Sequence, residues 1–387
     1  MLARSGAHPI RLLAIGHSYV LAVNRATIRE VARDPSFDIT VAAPSFYHGD
    51  LRPIHCEPEP HGSPLRLVPI PARWTSRVHV FHYAQKPLRD LARRHSFQGV
   101  FAWEEPYIFS GYQLAQLAQH SGARFSFYTC QNLDKKYPPP FGYLERICLS
   151  ATDRWVAAGQ SVFDVQVHRG YVPERGSVIA LAVDTTLFRP ADEERRQQVR
   201  RTLGLTKPVI GYMGRLVEAK GLRVLMQALE ALDPAIPWSL LLLGSGEWKG
   251  EIEQWAERFG WADRVKILLA RHDEVPNYLG AMDMLVAPSQ TRSNWKEQFG
   301  RMLIEAFACG VPVIASDSGE IPYVVGDAGI ILPEKDVAAW TKSIELLLVD
   351  PALRQRLAEA GLQRVSRFSV VQSAAHFRNF YRDLVYG

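Results

Sequence analysis

Two cations and two carboxylates in the second half of the chain fall where chemistry would need them. Arg215 and Lys220 lie in GYMGRLVEAKG, directly after an apolar run, PVIGYMG, that ends at Gly214. Long basic side chains beside a helix start, with its amides and dipole, add up to positive potential suited to a diphosphate. A solvated basic turn is the plainer reading of that spacing; the strand-to-helix context favours the anion site. A second apolar run, LLLLGSGEW, ends in Gly244, Ser245, Gly246 and Glu247. Glycines there admit a ligand close to the backbone, although a glycine pair after a strand is commonly a tight turn.

Glu297 and Glu305 lie in WKEQFGRMLIEAFACGVPVIASDSG. On one continuous helix, eight residues turn through about 800° and rise about 12 Å, so the two carboxylates would not share a face. Gly300 suggests instead that Glu297 precedes the helix and Glu305 lies inside it, with the amides of Phe299, Gly300 and Arg301 between them. That arrangement spans a nucleotide sugar: one carboxylate takes sugar hydroxyls, the other ribose hydroxyls, and the helix N-terminus faces the diphosphate. Two solvated glutamates on a surface helix are the alternative. The apolar AFACGVPVIAS after Glu305 argues for a buried helix, and a buried carboxylate needs a partner.

The elements that must position these residues are legible as two series of βα units. RLLAIG, FDITVAA, LRLVPI, GVFAW, ARFSFYT and RWVAA alternate with helical segments such as KPLRDLARRH and SGYQLAQLAQH, and SVIALAV closes the series. PVIGYMG, WSLLLLG, VKILLA, DMLVAPS, VPVIAS and AGIILP form the second. Continuous apolar runs mark strands buried on both faces of parallel sheets. The charged stretch ADEERRQQVRRTLGL reads as the linker. The expected division is 1–184 and 185–367, with a terminal helix, 368–387, packing back on the first domain.

Composition excludes several classes. The chain has 387 residues, 47% of them hydrophobic and 22% charged, enough for two globular domains. A net charge of +5 suits a small anionic ligand or an acidic membrane face and is too weak to argue for nucleic acid. Cys56, Cys130, Cys148 and Cys309 show no metal-ligand or CxxC spacing, and neither do His79, His82 and His95. The apolar run near the start ends at Gly16 and His17, too short for a secretory leader, and no run reaches the roughly 20 residues of a membrane span. A cytoplasmic protein is expected. KPLRDLARRH, with Lys86, Arg89, Arg93 and Arg94 around Leu88, Leu91 and Ala92, reads either as a solvated helix face or as a peripheral contact with the inner membrane face.

GRLVEAKG, GSGE, MDMLVAPS and EQFGRMLIEAFACGVPVIASDSG, in that order within residues 178–335, resemble the retaining glycosyltransferases of family 4, the "glycosyl transferases group 1" type. The resemblance implies the α/β GT-B fold: two doubly wound Rossmann-like domains with a cleft between them and C-terminal helices packing back across the domains. It implies a nucleotide-sugar donor such as a UDP- or GDP-sugar, a glycan, lipid-linked or small-molecule acceptor, and no catalytic metal. By resemblance Arg215 and Lys220 hold the diphosphate, Glu297 the transferred sugar and Glu305 the ribose, with Gly214 and Gly246 close by. The N-terminal half departs from the family pattern. Where a glycine pair usually follows the first strand, this chain has Gly16 and His17; where a histidine often follows the fourth, it has Glu104 and Glu105. Gln131 and Asn132 end the fifth. Gly16, His17, Glu105 and Gln131 are expected to bind substrate. Adjacent side chains on an extended backbone face opposite ways, and Glu104, at the position of the family's histidine, is favoured to contact the sugar or the acceptor hydroxyl. Two ordinary carboxylates, solvated or paired, are the alternative.

The expected activity is transfer of a sugar to a hydroxyl in glycan, polysaccharide or glycoconjugate biosynthesis. A sugar-nucleotide epimerase on the same fold and a catalytically silent nucleotide-sugar-binding subunit are the rivals. A phosphorylase would need a lysine in a pyridoxal-phosphate context, which is not apparent, and a dehydrogenase would need GxGxxG where AIGHSYVLAVNR stands.

Overall fold

A computed structural model describes residues 8–49 and 53–387. Residues 1–7, read above as part of the first domain, and residues 50–52 lie outside the described residues. The chain divides into two compact units, one of Met1–Ala180 with Val370–Gly387 and one of Leu181–Ser369.

The first unit holds a seven-stranded parallel sheet: β1 (Ile10–Ile15), β2 (Phe37–Pro44), β3 (Arg66–Ile70), β4 (Gly99–Ala102), β5 (Arg124–Thr129), β6 (Arg154–Ala157) and β7 (Gly176–Val178). The order is β7-β6-β5-β4-β1-β2-β3. Both faces are covered, which is why these strands read as unbroken apolar runs. In β4 the side chains alternate between two cores. Val100 and Ala102 join Leu13, Leu88 and Leu114 on one face. Phe101 turns the other way onto Phe377 and Tyr381, at ring distances of 5.5 and 5.4 Å. Those two rings belong to the terminal helix Val370–Tyr386.

The second unit holds six parallel strands: β8 (Val209–Met213), β9 (Ser239–Leu243), β10 (Val265–Leu268), β11 (Met284–Ala287), β12 (Val313–Ser316) and β13 (Ile330–Leu332). Their order is β10-β9-β8-β11-β12-β13. The helices Leu222–Glu230 and Val337–Val349 bury Leu225, Leu229, Trp340 and Leu347 against this sheet's core.

Both sheets change direction beside their first strand. β1 lies between β2 and β4, and β8 lies between β9 and β11. Loops leaving the carboxyl ends of such neighbouring strands diverge, and the crevice between them is where ligands bind in open α/β sheets.

The stretch ADEERRQQVRRTLGL is not a linker. It forms the helix Glu193–Leu203 within the second unit, capped by Asp192, whose carboxylate accepts from the Arg195 amide at 2.8 Å. Arg196 and Arg200 each reach Asp283 at 2.6 Å, and they also bond the carbonyls of Gly280, Ala281 and Met282. Asp283 accepts in addition from the Val209 amide at the start of β8, at 2.6 Å. The charges that suggested a solvated connection fasten this helix to the sheet. Asp283→Ala leaves two guanidiniums and one strand amide without their acceptor, so urea denaturation is expected to show a loss of about 3 kcal/mol or more.

Candidate functional site

In the second unit the site is built from the loops on either side of the β8/β11 switch point. After β8 the chain turns at Gly214, whose amide donates to the Leu243 carbonyl at 3.0 Å. The short 3-10 turn Glu218–Lys220 follows and ends at Gly221, with φ +73. A Cβ at Gly221 would lie 1.7 Å from the Pro288 carbonyl oxygen just beyond β11, so only glycine lets these two loops touch.

That contact sets Lys220 beside Glu297. Lys220 Nζ and Glu297 Oε2 are 2.6 Å apart, and Ser289 Oγ donates to the same oxygen at 2.8 Å. The ammonium also lies 4.9 Å from the Trp295 ring centroid. Little of either charged side chain is exposed, 13% for Lys220 and 8% for Glu297. Glu297 is pinned from below by Gly319, at φ +57, where a Cβ would meet the Glu297 carbonyl oxygen at 1.9 Å. Arg215 is partly exposed, and its carbonyl accepts from the Tyr212 hydroxyl at 2.7 Å.

The helix Arg301–Ala308 begins between the two carboxylates. Gly300, at φ +83, is its N-cap, and no side chain caps it. The first amides of a helix have no partners within it and point out along its axis. Phe299 packs its ring edge-on against Phe368 at 5.9 Å. Glu305 is 2% exposed, and among the described residues its Oε2 has no hydrogen-bond partner. Burial pushes its carboxyl up to about 7, while the Arg301 charge pulls the other way.

The glycines of GSG have a structural explanation. Cβ atoms at Gly244 and Gly246 would strike the carbonyl oxygens of Gly214 and Leu216, at 1.8 and 2.3 Å. They let the β9 loop lie on the β8 loop, and so support the site from behind.

In the first unit, Gly16 and His17 follow β1 and Glu104 follows β4, on opposite sides of the other switch point. Glu104 accepts from the His17 amide at 2.7 Å, from the Tyr83 hydroxyl at 3.0 Å and from Ser110 Oγ at 3.1 Å, and its Oε2 lies 2.8 Å from His17 Nδ1. With 1% of its surface exposed, it is a paired and not a solvated carboxylate. Glu104 thereby holds His17, whose side chain is 25% exposed and stacks on Tyr47 at 4.9 Å.

Glu105 also turns inward, accepting from Thr129 Oγ1 at 2.5 Å and the Cys130 amide at 2.8 Å, and burial pushes it up to about 7. Opposed side chains were expected of an extended backbone, and the chain has left the strand by this point. The Gln131 side chain bonds the Leu133 amide at 3.1 Å and the Tyr107 hydroxyl at 3.3 Å, which shapes the loop after β5.

Sequence reasoning missed Ser289, Trp295, Gly319, Tyr83 and Ser110. Ser289 and Gly319 sit just past strand ends, in VAPS and SDSG, so the strand-end rule could have found them. Tyr83 and Ser110 carry no such signal.

Residues 193–364 match the family model described as glycosyl transferases group 1. The match takes in under half of the chain. The group 1 segment contains Arg215, Lys220, Glu297 and Glu305, whereas His17 and Glu104 lie outside it. A D-inositol 3-phosphate glycosyltransferase of Corynebacterium kroppenstedtii is 28% identical over 297 residues, covering 73% of this chain and 63% of its own. The chain thus spans under two thirds of that relative's length. Among solved structures, Anabaena HepE in complex with UDP and glucose superposes with a TM-score of 0.73 at 18% identity, over 96% of this chain and 98% of HepE. A glycosyltransferase of Rickettsia africae superposes with a TM-score of 0.75 at 16% identity, over 98% and 100%. The fold is GT-B, with two Rossmann-like domains.

The Glu305 carboxyl gives the second unit a testable pH dependence. Unfolded, it loses its proton near 4.5; folded, it holds the proton to about 7. The native state binds more protons across that window, so stability falls as pH rises from about 4.5 to 7. Glu305→Gln cannot ionise. Urea denaturation from pH 4.5 to 8 is expected to shift in the variant's favour by up to about 3 kcal/mol; parallel curves for the two proteins would count against the buried carboxyl.

Proposed function

We propose that this chain is a retaining glycosyltransferase that moves a sugar from a nucleoside diphosphate donor to a hydroxyl acceptor. The observation that carries the reading is Glu305: a buried carboxylate oxygen without a partner, inside an uncapped helix that starts next to the Lys220 and Glu297 pair. Ribose hydroxyls donating to Glu305 would satisfy that oxygen, and the helix amides would meet the diphosphate.

Breaking the bond between the anomeric carbon and the diphosphate oxygen leaves negative charge on the diphosphate. Arg215 and Lys220 are the groups we assign to offset it, with Lys220 held in advance by Glu297. In this reading the two side chains supply the charge and no metal ion is required. Glu297 has two tasks: it holds Lys220, and it accepts from hydroxyls of the transferred sugar. On the acceptor side we assign His17, with Glu104 as its positioning residue, since the carboxylate at Nδ1 fixes the ring's tautomer and orientation. The UDP carried by HepE and the inositol phosphate in the relative's name favour a UDP-sugar donor and a polyol acceptor.

Arg215→Ala is expected to reduce turnover of the donor sugar by about 10²- to 10³-fold with the fold intact. Unaltered turnover would remove the assignment. A thermal-shift comparison of UDP, GDP and ADP identifies the base, because a nucleotide at 100 times its Kd adds about 2.7 kcal/mol of stability.

A further inference from the structure

One surface of the first unit is unexplained by sugar transfer. Between β3 and the helix Gln85–His95, the chain forms a small hairpin in which the two-residue strands Ala72–Arg73 and His82–Tyr83 pair antiparallel. Its inward side chains are firmly seated: Phe81 and Tyr83 are fully buried, and Thr75 Oγ1 lies 2.8 Å from His48 Nδ1. Its outward ones include large apolar groups. Trp74 is 57% exposed, and Val78 and Val80 are 37% and 36% exposed. Phe109, 38% exposed, joins them, because its amide donates to the His79 carbonyl at 3.1 Å and its ring meets His82 at 5.4 Å.

Two further features bear on what covers this surface. Trp74 stands at φ +61, a left-handed backbone that a bulky residue rarely adopts, and the anchored hairpin maintains it while the indole faces outward. The charge around it has one sign. Between Glu59 and Asp90 the sequence contains no acidic residue but five basic ones, Arg66, Arg73, Arg77, Lys86 and Arg89. The Arg77 guanidinium lies 5.8 Å from the Trp74 ring centroid, and Lys86, Arg89 and Arg93 are exposed on the following helix. Asp90, partly buried, is that helix's one carboxylate.

We propose that the hairpin 72–83, with Phe109 and the start of the helix Gln85–His95, docks on an anionic lipid bilayer. Trp74, Val78, Val80 and Phe109 enter the boundary between headgroups and acyl chains, while Arg77, Lys86 and Arg89 meet lipid phosphates. Among the described residues no helix is long and apolar enough to cross a membrane, so this would be attachment to one face. Phe81, which anchors the hairpin, lies edge-on to His17 at 6.1 Å, so the docking surface and the end of β1 share one packed core.

The test is sedimentation of the full chain with vesicles of phosphatidylcholine alone or with phosphatidylglycerol. Binding is expected only with the anionic lipid, and it should weaken steeply as salt is raised. The triple variant R77Q/K86Q/R89Q should bind on the order of a hundredfold more weakly, at about fivefold per charge. Trp74→Ser with Val80→Ser should lose binding at a salt concentration where the native chain still sediments. All of these side chains are exposed, so an unchanged melting temperature verifies each variant; Phe109→Ser replaces any that fails to fold. No binding to anionic vesicles at low salt, equal binding to both vesicles, or native binding by the variants overturns the proposal. So does a dimer in solution that Trp74→Ser dissociates, because a second copy would then cover the surface.

Discussion

The ion pair between Lys220 and Glu297 is the contact around which the second unit is arranged. Its two members come from loops on opposite sides of the β8/β11 switch point, and most of their solvent has been removed. Such a pair persists only when its geometry is good and further hydrogen bonds meet the remaining valences. Ser289 provides one such bond, and the Trp295 ring lies near the ammonium. Backbone contacts hold both loops, at Gly221 against Pro288 and at Gly319 against Glu297. The positive charge and the carboxylate are therefore in place without a ligand, which is the condition under which fixed charges stabilise a transition state most effectively.

The first unit sets a different pair of groups at the same place in the same kind of sheet. At its switch point an imidazole faces outward, and the carboxylate that holds it is buried beneath, fed by Tyr83 and Ser110. Glu104 stands where the family often carries a histidine, and the histidine of this chain comes from the end of β1 instead.

Much of this was legible in the sequence, for physical reasons. Parallel strands buried on both faces must be apolar throughout, so both series of strands read directly. The strand-end rule then drew attention to Arg215, Lys220 and Glu104, and Gly300 marked the break between Glu297 and the helix that carries Glu305. What the sequence concealed was which side of a contact each polar group occupies. Glu104 has the look of a strand-end carboxylate open to a ligand, yet it is paired with His17, Tyr83 and Ser110. Gly246 has the look of a ligand loop and is required by the neighbouring Leu216 carbonyl. The charges of the helix Glu193–Leu203 suggested solvent, yet two of its arginines bind Asp283. Spacing along a chain reports residue types and periodicity; partners that arrive from 80 or so positions away are fixed by tertiary packing.

The central claim is that the buried Glu305 carboxyl is kept for hydroxyls of the donor. Ribose hydroxyls donating to it favour its ionised form, so a group that titrates at about 7 when empty should give up its proton on binding. Calorimetric titration of UDP at pH 6.5, in buffers of different ionisation enthalpy, measures this directly. The terminal phosphate of UDP also titrates at about 6, so the account predicts a larger proton release by the native chain than by Glu305→Gln. Binding of UDP with no proton release, or with the same release in both proteins, would contradict it.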